Sequence, residues 1–234
     1  MRSGQRVSAL GVAAGGLTIV GPLLAYLELV RPLAGFVLFA VGGLLSVVLA
    51  VGAIVRLARG RGLNLGSATS LVVAAVFVGL MLSGSGHPRI NDFTTDTSNP
   101  PAFTFAATLP ANHGRDLSYP ASNAAIQQQC CADLRSVELP VPPAEAVARI
   151  RRLAEAQPSW RVTHTDAEAN TVEAVATSRL FHFQDDIVVR VRPSAAGSLV
   201  DMRSKSRDGQ GDMGANAARI RQFIVALRTV DGSP

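Results

Sequence analysis

The sequence predicts three transmembrane helices followed by an α+β domain, in which an antiparallel sheet of about five strands carries helices on one face. Two observations lead to this prediction. Long apolar runs are confined to the first 86 residues, and alternating and amphipathic patterns return only after Pro120. We therefore divide the chain into a membrane anchor at 1–86, an extended linker at 87–119 and a soluble domain at 120–234.

The anchor contains three apolar runs. They are Val7–Val30, Leu33–Val55 and Ala68–Leu82, and about 20 apolar residues suffice to span a bilayer. Arg31-Pro32 leaves only a tight turn between the first two, which predicts a helical hairpin. A cleavable signal peptide is the alternative for the first run, but its apolar stretch is long and lacks a small-x-small cleavage site before the next span.

Positive charge predicts the orientation of the anchor. Basic residues precede the first span and separate the second from the third, at Arg2, Arg6, Arg56, Arg59 and Arg61. The positive-inside rule assigns both clusters to the cytoplasm. Three spans then place the N-terminus in the cytoplasm and the C-terminal domain in the periplasm, with the anchor in a bacterial inner membrane.

Small residues recur at four-residue spacing within each span. They are Gly11 and Gly15, then Gly42, Ser46 and Ala50, then Ala75, Gly79 and Ser83. Such spacing lets helices approach closely, which fits packing within the chain and also an oligomer contact. Glu28 is the one acid of the spans, and its place near a span end indicates the interface rather than a transport path.

The soluble part is electrically balanced, with 16 basic and 16 acidic residues from His87 to Pro234. Nucleic-acid binding requires a basic footprint, so we expect no nucleic acid. The expected partners are the lipid bilayer and a membrane or periplasmic protein, and the oligomeric state stays open.

The extended linker is expected to attach to the soluble domain through Phe93, Phe103 and Phe105. The predicted helices and strands come after it. Helices are predicted at Ala121–Ala132, from Pro142-Pro143 to before Pro158, and at Gly214–Val230; strands at Leu134–Leu139, Trp160–Thr165, Thr171–Thr177, Ile187–Arg192 and Leu199–Ser206. Strict alternation supports the strands, and Ala146, Ile150 and Leu153 share one helix face. This order is similar to the helix-grip or TATA-binding-protein-like arrangement, and Arg190 or Arg192 is expected to pair with Asp201 across strands.

A glycine-rich stretch, Gly209-Gln-Gly-Asp-Met-Gly214, follows the last predicted strand. It matches the G-x-G-x-x-G pattern, but the dinucleotide fingerprint also needs a parallel βαβ unit. Here the preceding strand closes an antiparallel meander, and Asp212 would repel a pyrophosphate. We predict a glycine turn with positive φ angles and Asp212 as the helix N-cap, and no cofactor.

Polar residues around this turn form a candidate anion site at the start of the last helix. Its members are Arg203, Ser204, Arg207, Asn216 and Arg219. A structural network in which Asp212 with Asp185 or Asp186 neutralises the arginines is the alternative.

The catalytic candidates are Asp185, Asp186 and His182. Paired carboxylates can carry acid–base chemistry, yet adjacent strand residues point to opposite faces. The four histidines show no metal-ligand spacing, so we expect no metal site. The adjacent Cys130 and Cys131 are interpreted as small packing residues, with a vicinal disulfide or reactive pair as the alternative.

Two segments together resemble the domain of unknown function 1499 family: Ala176–Asp186 and Arg203–Ile220. Ile90–Phe103 resembles the segment present in its membrane-anchored members. The resemblance covers Ile90–Leu227 and implies a bacterial envelope protein, without an assigned activity. The family often has a hydrophobic or aromatic residue where Gln210 and Gly211 stand, which implies a more flexible loop here.

We interpret the soluble domain as a binding or assembly module rather than an enzyme, because no nucleophile, base and orienting group are evident together. Its ligand would be a protein partner, an anionic lipid or a small molecule. One alternative is a membrane-anchored hydrolase or transferase, which requires His182, Asp185 and Asp186 to converge in one cleft. The other is an accessory subunit of a larger membrane complex.

Overall fold

The computed structural model describes residues 2–229, with side chains from Ser8 onward. The side chains of Arg2 and Arg6, and the predicted helix end at Val230, therefore lie outside the described residues. Contacts divide the chain into two units. A helical unit ends at Gly86 and includes Arg179–His182, and an α+β unit contains His87–Ser178 and the residues from Phe183 on.

Three helices form most of the helical unit: α1 (Arg2–Tyr26), α2 (Pro32–Ala58) and α3 (Leu65–Gly84). Each is long and apolar enough to cross a membrane, which confirms the three predicted apolar helices. Helix α1 ends before Glu28, whose φ of 57° places it in the turn that precedes α2. Pro32 begins α2, a position where its missing N–H costs nothing.

Glycines bring the three helices close together. A Cβ on Gly42 would lie 2.5 Å from the Thr18 hydroxyl, and one on Gly11 would lie 2.3 Å from the Gly66 carbonyl. The predicted stripe on α2 is buried at Gly42, Ser46 and Ala50. The stripe on α3 differs, because Ala75, Gly79 and Ser83 are exposed on this unit.

The α+β unit contains six strands and three helices among the described residues. In chain order they are β1 (Asp92–Thr94), α4 (Ala121–Cys130), β2 (Val137–Leu139), α5 (Pro143–Glu155), β3 (Trp160–Asp166), β4 (Thr171–Thr177), β5 (Gln184–Ser194), β6 (Gly197–Ser206) and α6 (Ala215–Thr229). The sheet is antiparallel with the order β1-β6-β5-β4-β3, and β2 also pairs with β6. Both β1 and β2 therefore lie along the outer edge of β6.

The predicted α+β class is confirmed, with a sixth strand added. That strand, β1, lies within the segment predicted to be an extended linker and pairs Phe93 with Ser204. Three residues are too few to display alternation, so its pattern was not recognisable. Strand β4 has the predicted bounds, and the other strands differ from the prediction by a few residues at their ends.

Helices α5 and α6 pack on one face of the sheet, which we call the helix face. Most of the buried strand side chains there are apolar: Val172, Ala174, Ala176, Ile187, Val189, Val191, Val200 and Met202. They pack with Ile150 of α5 and with Ile220 and Phe223 of α6. Trp160 stacks on the Phe223 ring with centroids 5.1 Å apart. This face holds the main hydrophobic core of the unit.

Candidate functional site

The opposite face of the sheet is covered by residues 95–119, which we call the strap, and we call this face the strap face. Apart from two short 3₁₀ turns, Ala106–Thr108 and Pro110–Asn112, the strap has no regular structure. Phe103 and Ala106 pack on Val188 of β5, with Leu109 and Leu117 beside them. Phe93 and Phe103 are buried, and the Phe105 ring stacks on that of His164 with centroids 4.8 Å apart. The three predicted attachment points therefore contact the domain.

Glu173 of β4 holds the middle of the strap. Its carboxylate accepts hydrogen bonds from the backbone N–H groups of Thr104, Phe105 and Ala106 at 2.7–2.9 Å, and from the Thr104 hydroxyl at 2.7 Å. A 3₁₀ turn leaves its first N–H groups without partners, and a carboxylate satisfies them strongly. Glu173 is only 1% exposed, so this contact fixes the strap to the sheet.

A buried ionic cluster lies at the β1 edge of the strap face. Arg203 donates from Nε to Asp92 Oδ1 at 2.9 Å and from Nη2 to Oδ2 at 2.8 Å. Lys205 Nζ contacts the same Oδ2 at 2.9 Å. The three side chains are buried, so Asp92 is shared by two cations.

The Arg203 guanidinium also reaches the strap directly. Nη1 donates to the Pro101 carbonyl at 3.1 Å and Nη2 to the Leu117 carbonyl at 2.8 Å. Its central carbon lies 4.7 Å from the Phe103 ring centroid and 5.5 Å from that of Tyr119, within the range of cation–π attraction. Burial, with the charge of Asp92, raises the pKa of Tyr119 above its ordinary value, so the phenol is neutral near pH 7.

A cavity of about 540 Å³ opens beside this guanidinium. Its lining combines apolar rings, small residues, hydroxyls and one cation: Thr97, Ser98, Pro100, Ala102, Phe103, Leu117, Ser118, Tyr119, Ala121 and Arg203. We call it the strap cavity. Its size is that of small-molecule binding sites.

Further ion pairs occupy the rest of the strap face. The Asp186 carboxylate accepts hydrogen bonds from Arg207 at 2.6 Å and from the Asn112 side-chain amide at 3.0 Å. Arg115 Nη1 lies 3.5 Å from Asp186 Oδ2. Near β2, Asp201 contacts both Arg190 and Arg192, which also approach Asp96. The register opposes Arg190 and Asp201 on β5 and β6, which confirms the predicted cross-strand pair.

The structure separates the two acids among the three catalytic candidates. Asp185 lies on the helix face, where its carboxylate pairs with Arg219 at 2.5 Å, while Asp186 lies on the strap face. His182 belongs by its contacts to the helical unit, where its ring lies 5.0 Å from that of Tyr26. Asp185 and Asp186 therefore do not share one cleft, as the catalytic hypothesis requires.

The anion-site candidates also divide between the faces. On the helix face, the Ser204 hydroxyl contacts Asn216 at 2.6 Å and Arg219 at 2.9 Å. Arg203 and Arg207 lie on the strap face, paired with Asp92 and Asp186. Of the five residues, Arg203 alone lines the strap cavity.

The glycine-rich turn has the predicted role in the backbone. Gly209 and Gly214 have φ angles of 75° and 82°, and the Asp212 carboxylate accepts from the N–H groups of Gly214 at 2.9 Å and Asn216 at 2.8 Å. Asp212 therefore caps α6. Burial raises the pKa of this carboxyl, and the capping hydrogen bonds oppose that rise.

The two cysteines differ in burial. Both are free thiols, with Cys130 exposed and Cys131 in the core, and their sulfur atoms are 2.7 Å apart. Desolvation, reinforced by Cys131, raises the pKa of the Cys130 thiol to about 11, so it is protonated near neutral pH. Among residues 2–229, no group of three or more His, Cys, Asp or Glu side chains is arranged to hold a metal ion.

Sequence reasoning missed most of the strap cavity. Asp92, Leu117, Ser118 and Tyr119 are distant from Arg203 in the chain, and nothing in their spacing links them. One signal was present in the sequence: Asp201, Arg203 and Lys205 alternate along β6 and therefore share one face of that strand. Charges on one strand face need a polar cover, which the linker provides.

A model of the family described as "Protein of unknown function (DUF1499)" matches residues 92–227, more than half of the chain. The matched region begins at the first residue of β1 and extends into α6. It therefore contains the strap, the six strands and the strap cavity. No curated protein matches the chain.

Proposed function

The chain belongs to the DUF1499 family, and from that premise we propose that it is a membrane-anchored binding or assembly protein whose α+β unit lies in the periplasm of a bacterial cell. The strap cavity is the observation that carries this proposal. It combines a preformed volume with aromatic rings and a buried arginine, which is typical of small-molecule sites.

The arrangement favours binding over catalysis. Asp185 and Asp186 are held by arginines on opposite faces, and the strap cavity contains hydroxyl groups without a histidine or carboxylate in its lining. An active site needs a nucleophile or base with an orienting group in reach. We therefore do not propose a hydrolase or transferase.

Retention of a ligand through purification tests the binding role. The full-length protein would be extracted from native membranes, and its bound small molecules and lipids identified by mass spectrometry. We expect a compound that the wild type retains and that the cavity-filling variant Ala102→Trp loses. Ala107→Trp, at an exposed strap position outside the cavity, is the matched control. Identical profiles for the three proteins would contradict a binding role for the cavity.

The periplasmic placement rests on the arginines between α2 and α3, at Arg56, Arg59 and Arg61. In a protein carrying Cys130→Ser and Cys131→Ala, single cysteines would be introduced as Arg59→Cys or Glu168→Cys. A membrane-impermeant maleimide applied to spheroplasts should label the second variant alone. Labelling of the Arg59→Cys variant alone would show that the orientation is the opposite of the one proposed.

A second function, as an accessory subunit of a larger membrane complex, is favoured by the exposed small residues of α3. Ala75, Gly79 and Ser83 are exposed on the helical unit, and small residues permit close approach of another helix. Native mass spectrometry from lipid nanodiscs would show a larger assembly that Gly79→Leu disrupts. A monomeric mass for both proteins would contradict this function.

A further inference from the structure

We infer that the strap cavity binds a small amphipathic anion, in which one carboxylate or phosphate monoester group is joined to an apolar body. This inference rests on the proposed binding function and specifies the chemistry of its ligand. It follows from the charge beside the cavity, the geometry of one guanidinium and the composition of the lining.

The buried charges beside the cavity do not balance. Arg203 and Lys205 carry two positive charges, and both pair with the single carboxylate of Asp92. Each of the three side chains is at least nine-tenths buried. Because a buried charge is costly without a partner, an anion that enters the cavity finds one uncompensated positive charge next to it.

Arg203 also offers a free donor. A guanidinium has five N–H groups, and the contacts to Asp92, Pro101 and Leu117 use four of them. The second hydrogen of Nη1 has no acceptor among the described residues. Since the Phe103 and Tyr119 rings lie against the guanidinium, the anion would approach in its plane.

The lining of the strap cavity accounts for the apolar part of the proposed ligand. Pro100, Ala102, Phe103, Leu117 and Tyr119 contribute apolar surface, while Ser98 and Ser118 add hydroxyl groups. Helix α4 begins at Ala121, on the cavity wall, without a side chain that caps its first N–H groups. Its N-terminal partial charge has the same sign as Arg203 and therefore favours an anion as well.

Two acids lie next to lining residues in the chain. Asp96 accepts from the Ser98 N–H at 3.1 Å and is paired with Arg190 and Arg192, which leaves Asp116 as an acid that opposes anion binding. It lies outside the cavity lining and is fully exposed, so water screens its charge. Hydrogen bonds from Ser118 lower its pKa, and the positive charges of Lys205 and Arg203 lower it further.

Equilibrium dialysis of the full-length protein in zwitterionic lipid nanodiscs tests the inference. The probes are octanoate, octyl phosphate and 1-octanol below their micellar concentrations, and binding to empty nanodiscs is subtracted. At least one anion should bind about tenfold or more tightly than 1-octanol, because a hydrogen bond to a charged group has that effect. Preference for octanoate indicates a carboxylate ligand, and preference for octyl phosphate indicates a phosphate ester such as a lipid headgroup.

Two variants separate recognition from folding. Arg203→Gln leaves Asp92 paired with Lys205 and should reduce anion affinity about tenfold without changing that for 1-octanol. Ala102→Trp should abolish binding of all three probes, and Ala107→Trp should leave it unchanged. Trp160 emission of Arg203→Gln, and circular dichroism of every variant, would verify that each is folded.

Equal affinity for 1-octanol and both anions would overturn the inference while leaving a binding role for the cavity. Binding of none of the probes would also overturn it. In either case, mass spectrometry of the compounds retained through purification tests the proposed binding function independently. This inference can therefore fail while the proposed function stands.

Discussion

The two faces of the sheet are covered by different kinds of structure. Helices α5 and α6 cover the helix face, and their own backbone groups are satisfied within each helix. The strap covers the other face with little regular structure, so its N–H and C=O groups need partners outside it. The side chains beneath the two covers differ for this reason.

Ionised side chains of the sheet supply the partners of the strap. Glu173 accepts three of its backbone N–H groups, and Arg203 donates to the carbonyls of Pro101 and Leu117. Arg190 donates to the carbonyl of Asn99 at 2.7 Å. The helix face therefore provides hydrophobic stability, whereas the strap face provides a polar, shaped surface on which a cavity can form.

Replacing the shared acid of the strap face should have the largest effect. Asp92→Asn leaves Arg203 and Lys205 buried without a carboxylate, and removal of one partner from a buried ion pair costs about 3–5 kcal/mol. Urea titration of the full-length protein in detergent, followed by Trp160 fluorescence, measures this loss. Glu168→Gln, at an exposed acid in the turn after β3, is the control and should leave the urea midpoint unchanged. Equal midpoints for both variants would show that the buried cluster does not stabilise the fold.

Truncation in the helix face should come next. Ile220 is completely buried in the core, and Ile220→Ala should lower the free energy of unfolding by about 2–5 kcal/mol through lost burial and the cavity left behind. The same urea titration measures it. Val225→Ala, at an exposed position of the same helix, should change stability little. A similar loss at both positions would contradict the assignment of this face as the core.

A local effect is expected where Glu173 holds the strap. Glu173→Gln replaces one accepting oxygen by an NH₂ group, which leaves buried N–H groups unsatisfied at a cost of about 1–3 kcal/mol. Amide hydrogen exchange should accelerate at Thr104, Phe105 and Ala106, while α6 stays protected. Glu168→Gln, at an exposed position in the turn after β3, serves as the control. Unchanged exchange in the strap would contradict the role of Glu173.

The smallest effect concerns the surface pair of Asp133 and Arg221. A hydrogen bond from Arg221 holds the pKa of Asp133 below its ordinary value, so the stabilisation is present above the unfolded pKa of about 3.9. It is lost as pH falls through the lower, folded pKa. Asp133→Asn should therefore cost at most about 1 kcal/mol at pH 7, because the pair is exposed.

Urea midpoints of the wild type and Asp133→Asn, compared from pH 7 to pH 3, should converge in the acidic range. Glu138→Gln in β2 is an exposed control. A difference that grows as the pH falls would contradict this account.

The sequence was sufficient to predict the α-helices of both units and five of the six strands. Alternation in β4 and β5 placed Ile187, Val189 and Val191 on one face, and the structure places them under the helices. Apolar runs likewise predicted three spans because lipid demands a continuous apolar surface. Asp212 was recognised as a cap because the chemistry of a helix start is local.

The strap cavity could not be predicted in this way. Asp92 and Arg203 are separated by more than 100 residues, and their pairing depends on β1 joining the edge of β6. A segment with several prolines and no hydrophobic periodicity does not indicate, in its sequence, which surface it covers. Long-range polar contacts therefore had to be read from the structure.

Hydrogen–deuterium exchange of the full-length protein in nanodiscs tests whether the two faces have separate roles. It is measured without ligand and with a saturating concentration of whichever probe, octanoate or octyl phosphate, binds more tightly. The strap face should bind the ligand, and the helix face should contain the main hydrophobic core. We predict slower exchange in the peptides that contain residues 97–121 and unchanged exchange in α5 and α6. Protection confined to α5 and α6, or no protection in the strap, would contradict it.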